Sequence, residues 1–287
     1  MQKDNNHELK KMCLENAVLI TDSVQGELEV LQEECALEIA GNSGHHLQEV
    51  YNMAMQQGIW PLRYLRNTQS LSIQEQIRLS KAGVAVVGAG GLGGFVINFL
   101  ARLGVGYLLI IDRDVFEASN LNRQEFAFAN TLNRSKAEVS KEMLGNINPA
   151  VEVDVVCNDV SSDEHSWSKV EVVVDALDNI KDRFYVQKVA RKLELPFCHG
   201  AVSGFEGRLM TVFPQDRGLE LLYGEDGDRQ QEKEFFHKPG VPVPSPALVA
   251  SWQSTEVIKI LLDKGSNLRE RMLYVDLENI YTELFAF

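Results

Sequence analysis

The chain has 287 residues, 45% hydrophobic and 24% charged, with 28 Lys and Arg against 41 Asp and Glu, a formal net charge of −13. That is core material for one large or two modest domains, and so acidic a balance argues against gripping nucleic acid through the bulk field. No apolar run reaches the roughly 18 residues of a membrane helix, and the opening MQKDNNHELKK lacks the apolar centre of a signal peptide, so the expectation is a cytoplasmic protein without a membrane segment.

Residues 1–60 hold three lysines against ten acids, a net of −7. Leu28, Leu31, Cys35 and Ile39 recur at helical spacing, Gly41-Asn42-Ser43-Gly44 interrupts the chain, and His45–Gln57 reads as a short helix ended by Gly58 and Pro61. These features predict a small acidic helical extension over 1–60, ahead of a main domain over 61–287. The pair His45-His46 is too small a cluster for a metal and reads as solvated loop.

From Gly83 onward strands alternate with helices. VAVVG (84–88) is a strand with a glycine turn behind it, Leu92–Leu103 a helix, YLLIID (107–112) a buried strand and Ser135–Asn146 a helix. VEVDVV (151–156) and VEVVVDAL (170–177) read as strands, Asn179–Leu193 as a helix and LPFCHGAV (195–202) as a strand. Continuous apolar strands separated by helices predict an α/β fold with a parallel sheet covered on both faces. GRLMTVFP (207–214) opens a second, antiparallel set of strands, and the Gly-, Pro- and charge-rich stretch 215–247 reads as a long functional or disordered loop. Pro246–Lys264 is a helix with an apolar face of Leu248, Trp252, Thr255, Val257, Ile258 and Leu261, and RMLYVDL and IYTELFAF are terminal strands.

The segment GAGGLGG (88–94) places Gly88, Gly90 and Gly93 in Gly-x-Gly-x-x-Gly spacing directly after a strand. Such glycines let the backbone turn sharply and approach a phosphate, while the helix start offers free N–H groups and partial positive charge. Asp112 ends the second strand, where a ribose-binding acid belongs. This combination points to a nucleotide without separating ATP from NAD.

The next residues separate them. DRDVFEASNLNRQ (112–124) groups Asn120, Arg123 and Gln124 on one loop, Lys136 opens the next helix, and Asp178-Asn179 ends a strand where ligand groups gather in open α/β sheets. A triphosphate being cleaved calls for several cations and a carboxylate for Mg²⁺, whereas a dinucleotide dehydrogenase calls for few. Taken singly, Arg123 is also readable as a surface guanidinium, Lys136 as a helix-face charge and Asp178 as an N-cap. Together they favour ATP. An NAD-dependent oxidoreductase and a nucleotide-binding scaffold without catalysis are the competing readings.

RYLRN (63–67), GAGGLGG, DRDVFEASNLNRQ, the RSK ending at Lys136, and DALDN (175–179), in this order, resemble the ThiF/MoeB/HesA family, over roughly Leu62–Phe287. The resemblance implies a Rossmann-like ATP-binding fold with a mixed, mostly parallel eight-stranded sheet, a homodimer, and adenylation of a protein or peptide carboxylate. The substrate it implies is the C-terminal Gly-Gly of a ubiquitin-like sulfur-carrier protein of the MoaD/ThiS kind, for sulfur transfer in molybdopterin or thiamine synthesis, or alternatively a short ribosomal peptide. By motif position, Gly91 and Asp112 contact adenosine and ribose, Asn120, Arg123 and Lys136 the phosphates, and Asp178 holds Mg²⁺. Arg66 reaches the neighbouring subunit's ATP. Most relatives carry two Cys-x-x-Cys pairs for structural zinc. Cys13, Cys35, Cys157 and Cys198 form none here, so no structural zinc is expected and the cysteines read as buried apolar residues. Cys198 is the weaker candidate for an acyl or persulfide carrier. Asn67 stands where the family usually has glutamine.

Overall fold

A computed structural model describes residues 2–23, 26–160, 167–224 and 240–287. The chain opens with helix α1 (Gln2–Glu15), strands β1 (Ala17–Asp22) and β2 (Gly26–Leu31), helices α2 (Glu33–Ser43) and α3 (Leu47–Gln56), and a two-residue strand β3 (Trp60–Pro61). β1 pairs antiparallel with β2, and β2 parallel with β3, in a three-stranded sheet. The extension is therefore more than helical. The expected helix through Leu28 and Ile39 divides at Gln32: Glu27 and Glu29 alternate with Leu28 and Val30 at the period of a strand, and the helix starts only at Glu33. The segment buries a cluster of its own that includes Leu9, Val30, Ile39, Tyr51, Trp60 and Tyr64.

Arg63 ties this piece to the rest. It lies in a 3-10 turn (Leu62–Asn67), pairs with Glu33 of α2, and sends Nη1 to the carbonyl of Ile147 at 2.8 Å. Tyr51 Oη donates to the same Glu33 carboxylate at 2.7 Å. Burial pushes the Glu33 carboxyl up, but the bonds from Arg63 and Tyr51 outweigh it, so the group titrates below its ordinary range. Arg63→Ala is expected to cost about 1–3 kcal/mol near neutral pH, because Glu33 loses its strongest partner while still half-buried. A carboxyl depressed in the folded state stabilises above its unfolded value, about 4.3, and loses that contribution as pH falls through the folded one. Thermal melts of wild type and Arg63→Ala should therefore converge in acid. A penalty of the same size at pH 3 would show that the arginine acts by packing.

The main domain holds one eight-stranded sheet. β4 (Gly83–Val87), β5 (Tyr107–Ile111), β6 (Glu152–Val156), β7 (Val172–Asp175) and β8 (Phe197–Ser203) are parallel, and β9 (Glu206–Val212), β10 (Arg271–Asp276) and β11 (Tyr281–Ala286) extend it antiparallel. The order is β11-β10-β9-β8-β7-β4-β5-β6. Successive β4 side chains alternate between two cores. Val84 and Val86 face α4 (Ile73–Lys81), α5 (Gly91–Leu103), α6 (Lys136–Ile147) and α9 (Pro244–Leu262), while Ala85 and Val87 face α7 (Ile180–Lys192) and the short α8 (Glu220–Tyr223). Both faces are covered, which is why these strands read as unbroken apolar runs. Among the described residues no helix is long and apolar enough to cross a membrane.

Two expectations change. The stretch 215–247 is not all loop: α8 lies in it and α9 begins at Pro244, while 225–239 lie outside the described residues. The buried face of α9 is also turned from the expected one. Val249, Ala250, Gln253, Glu256, Val257 and Leu261 are buried, whereas Trp252 and Thr255 are exposed. Gln253 donates to the carbonyls of Asp175 and Cys198, and Glu256 accepts from Thr211 Oγ1 and the Leu268 amide. Two hydrogen-bonded polar residues on the buried stripe hide it from a hydropathy pattern.

Candidate active site

β4 is flanked by β5 on one side and β7 on the other, so the strand order reverses beside it and a crevice opens beyond the strands' C-terminal ends. A cavity of about 620 Å³ lies there, within the usual range for small-molecule sites. Of the residues singled out from sequence, Gly88, Gly90, Gly91, Asp112, Arg123, Gln124, Lys136, Asp178 and Asn179 line it. Gly93, Asn120 and Arg66 are not among the lining residues.

The glycines divide into two roles. Gly88 has φ of +95°, and a Cβ there would stand 2.7 Å from the carbonyl oxygen of Ala176; a Cβ on Gly93 would stand 1.7 Å from that of Gly88. Those two let the turn and helix pack against the neighbouring loop. A Cβ on Gly90 or Gly91 would meet nothing closer than 3.6 Å. These two leave open a cradle at the start of α5, whose first amides have no carbonyl within the helix.

Beside the cradle, the loop after β5 supplies polar groups. Asp112 accepts the Ala89 amide at 2.6 Å and the Asp114 amide at 2.8 Å, and burial raises its carboxyl against those bonds and the nearby Lys136 charge. Gln124 is buried, and its Oε1 has no hydrogen-bond partner in the protein. An orphaned acceptor next to an open glycine cradle fits a ligand that brings its own donor, such as a ribose hydroxyl or an exocyclic amine. Arg123 sends Nη1 to the carbonyl of Ser119 at 2.8 Å, which holds the guanidinium at the rim. Asn120 serves the loop itself, since its Oδ1 accepts the Glu117 amide at 3.0 Å and closes the turn that carries Arg123.

Lys136 is the first residue of α6 and is buried, with Nζ 3.0 Å from Asp114 Oδ2. It is therefore no surface helix charge. Asp178 lies between β7 and α7, exposed to the cavity. The N-cap of α7 is Asn179, whose Oδ1 accepts the Asp182 amide at 2.9 Å, so the capping alternative for Asp178 falls to its neighbour. Arg66 is exposed on the turn before α4.

Behind Asp178 lies a buried polar group that the sequence did not announce. Asp175, Arg183, His199 and Tyr223 are each at most 5% exposed. Burial holds the His199 imidazole below its ordinary value, against the pull of Asp175, so it is neutral. The one legible trace was an arginine in the apolar stripe of α7, where Ile180, Arg183, Val186 and Ala190 are buried together.

The cysteines divide as well. Cys13 and Cys198 are buried as expected, whereas Cys35 is half-buried and Cys157 exposed, its Sγ 3.2 Å from Ser135 Oγ. Burial pushes the Cys198 thiol well up, the opposite of what an acyl carrier needs. Among the described residues no three His, Cys, Asp or Glu side chains stand together as a metal site. A divalent ion held here by few carboxylates would complete its shell with phosphate and water oxygens, which suits Mg²⁺.

Residues 64–285 match the model of the ThiF family. The SAMP-activating enzyme E1 of Haloferax volcanii is 37% identical over 205 residues, which cover 70% of this chain and 75% of that one. The sulfur carrier protein adenylyltransferase of Thermus thermophilus is 34% identical over 215 residues (70% and 77%), and the molybdopterin-synthase adenylyltransferase of Haemophilus influenzae 30% over 227 (75% and 90%). Among solved structures, E. coli MccB with AMPCPP and MccA superposes with a TM-score of 0.67 at 22% identity, covering 78% of this chain and 71% of that one, a likeness of fold.

Proposed function

The chain belongs to the ThiF family, and on that premise we propose that it is an ATP-dependent adenylyltransferase whose substrate is the C-terminal Gly-Gly carboxylate of a ubiquitin-like sulfur carrier. The observation that carries this reading is the convergence of Arg123, Lys136 and Asp178 on one cavity beside the open Gly90-Gly91 cradle. The carrier's carboxylate oxygen attacks the α-phosphorus of ATP, forms the acyl–phosphate bond, and expels pyrophosphate. An anion then approaches an anion, so cations spread over the phosphoryl oxygens lower the barrier.

Arg123 and Lys136 supply those cations, and Gln124 and Asp112 hold the nucleoside. Asp178 holds Mg²⁺, which neutralises charge on the phosphates when bound. The chemistry needs no protein nucleophile and no structural zinc. Family membership removes the NAD oxidoreductase reading. Arg66, exposed and outside its own chain's cavity, acts on the site of a partner subunit in a homodimer, and the product serves sulfur transfer in the cytoplasm.

The test is ATP–pyrophosphate exchange by the purified protein with Mg²⁺, with and without ubiquitin-like carriers ending in Gly-Gly. Exchange that depends on a carrier is the expected result. Nucleotide binding without exchange across all carriers would transfer the assignment to a peptide carboxylate, and exchange with neither would leave a nucleotide-binding scaffold.

A further inference from the structure

The buried group behind Asp178 closes on itself. Asp175 Oδ2 accepts from His199 Nδ1 at 2.7 Å, His199 Nε2 lies 3.1 Å from Tyr223 Oη, and Arg183 Nη1 donates to Tyr223 Oη at 2.8 Å. A second arm of each charged end meets on a single residue, while Arg183 Nε lies 3.8 Å from Asp175 Oδ2 without a hydrogen bond. Asp175 Oδ1 accepts the Leu177 amide at 3.0 Å, and Arg183 Nη2 donates to the Leu177 carbonyl at 2.5 Å. With the imidazole neutral, the donors have one consistent arrangement. A carboxylate only accepts, so His199 carries its proton on Nδ1, and Tyr223 donates to Nε2 while accepting from Arg183. Leu177 is thus held at both backbone polar groups by one ring of hydrogen bonds, and the next residue is Asp178. On the other side of Asp178, Asn179 is fixed as the cap of α7.

We propose that His199 and Tyr223 are positioning residues for adenylation: by closing this ring they fix Leu177, and with it the place from which Asp178 holds its metal. The proposal rests on the reading of Asp178 as the Mg²⁺ ligand. The two residues come from distant parts of the chain, the sheet strand β8 and the short helix α8 after β9. The carboxylate is exposed and its loop is short, so its aim depends on the peptide before it. A half-broken ring leaves one arm of Asp175 or Arg183 buried without its partner, with the Leu177 peptide as the remaining tether, and the relief is movement of Leu177.

Tyr223→Phe is the main test, since it removes only the hydroxyl that joins Arg183 to His199. The expected result is that the Mg²⁺ concentration for half-maximal exchange rises about tenfold and turnover falls by a similar factor, while KM for ATP at saturating Mg²⁺ stays within about twofold. Hydrogen–deuterium exchange, read without catalysis, should show faster exchange in peptides spanning 176–182 and unchanged protection in β4 and β5. His199→Asn keeps a donor where Nδ1 stood and should retain more activity than His199→Ala. Wild-type Mg²⁺ dependence and wild-type protection of 176–182 in Tyr223→Phe would overturn the proposal. If Asp178→Ala abolishes exchange in the same assays, that outcome leaves the reading of the site intact. If Asp178→Ala keeps Mg²⁺-dependent exchange, the reading of the site fails and the positioning role fails with it.

Discussion

Asp178→Ala loses at least about a thousandfold in ATP–pyrophosphate exchange while its melting temperature stays within about 2 °C of wild type. The first half follows from position. Asp178 is a carboxylate exposed in the loop after β7 and lines the same cavity as Gly90, Gly91, Arg123 and Lys136, so it would be placed to hold a metal that neutralises phosphate charge. The second half follows from which neighbours carry the local structure: the cap of α7 is Asn179, and the Leu177 peptide is held by Asp175 and Arg183. A surface residue whose neighbours do that structural work costs little stability when truncated. Preserved exchange in a folded variant would remove the metal role. The same protein tests Arg66. Mixed with Arg66→Ala, it should recover partial exchange if Arg66 acts across a homodimer, since a mixed dimer would pair an intact Asp178 with an intact Arg66. No recovery would place Arg66 within its own subunit's site, and full exchange by Arg66→Ala alone would place it outside catalysis.

The sheet and most of this site are legible in the sequence for one reason. Strands buried on both faces leave unbroken runs such as VAVV and YLLII, and a phosphate-binding turn leaves glycines whose spacing follows from close backbone approach. Both are local signals. The N-terminal hairpin is masked because Leu28 and Leu31 in a strand and Cys35 and Ile39 in the next helix happen to fall at helical spacing across the break at Gln32. Asp175, Arg183, His199 and Tyr223 stay hidden for a different reason. Their meaning lies in mutual contact across up to 40 positions of chain, and each alone is one polar residue of its element. The same holds for Gln253 and Glu256, which turn the apparent face of α9. Asn120 is the converse case: its motif position suggests a phosphate contact, while its side chain closes the loop that presents Arg123.

Lys136→Met should lower exchange by about two to three orders of magnitude and weaken ATP binding about tenfold, at little cost in stability. Methionine keeps the unbranched stem and the helix-forming character of the first residue of α6 but removes the charge. The amine is 9% exposed, while its partner Asp114 is 59% exposed, so the carboxylate left behind remains hydrated and the pair contributes little to folding. Burial of the amine needs another reason, and the cavity supplies it. A cation held in place at low dielectric stabilises charge on a phosphoryl group without having to reorganise as that charge develops. On the proposed reading Asp114, 3.0 Å from Nζ, is the resting partner that keeps the amine oriented until a nucleotide arrives. Lys136→Arg is the sharper comparison, because it keeps the charge and changes its shape: a guanidinium is planar and longer, and the site behind Asp114 holds a compact ammonium. ATP binding close to wild type with turnover reduced would separate the charge that binds from the geometry that reacts. Full exchange in Lys136→Met would reduce the residue to a structural partner of Asp114 and leave Arg123 to meet the phosphates.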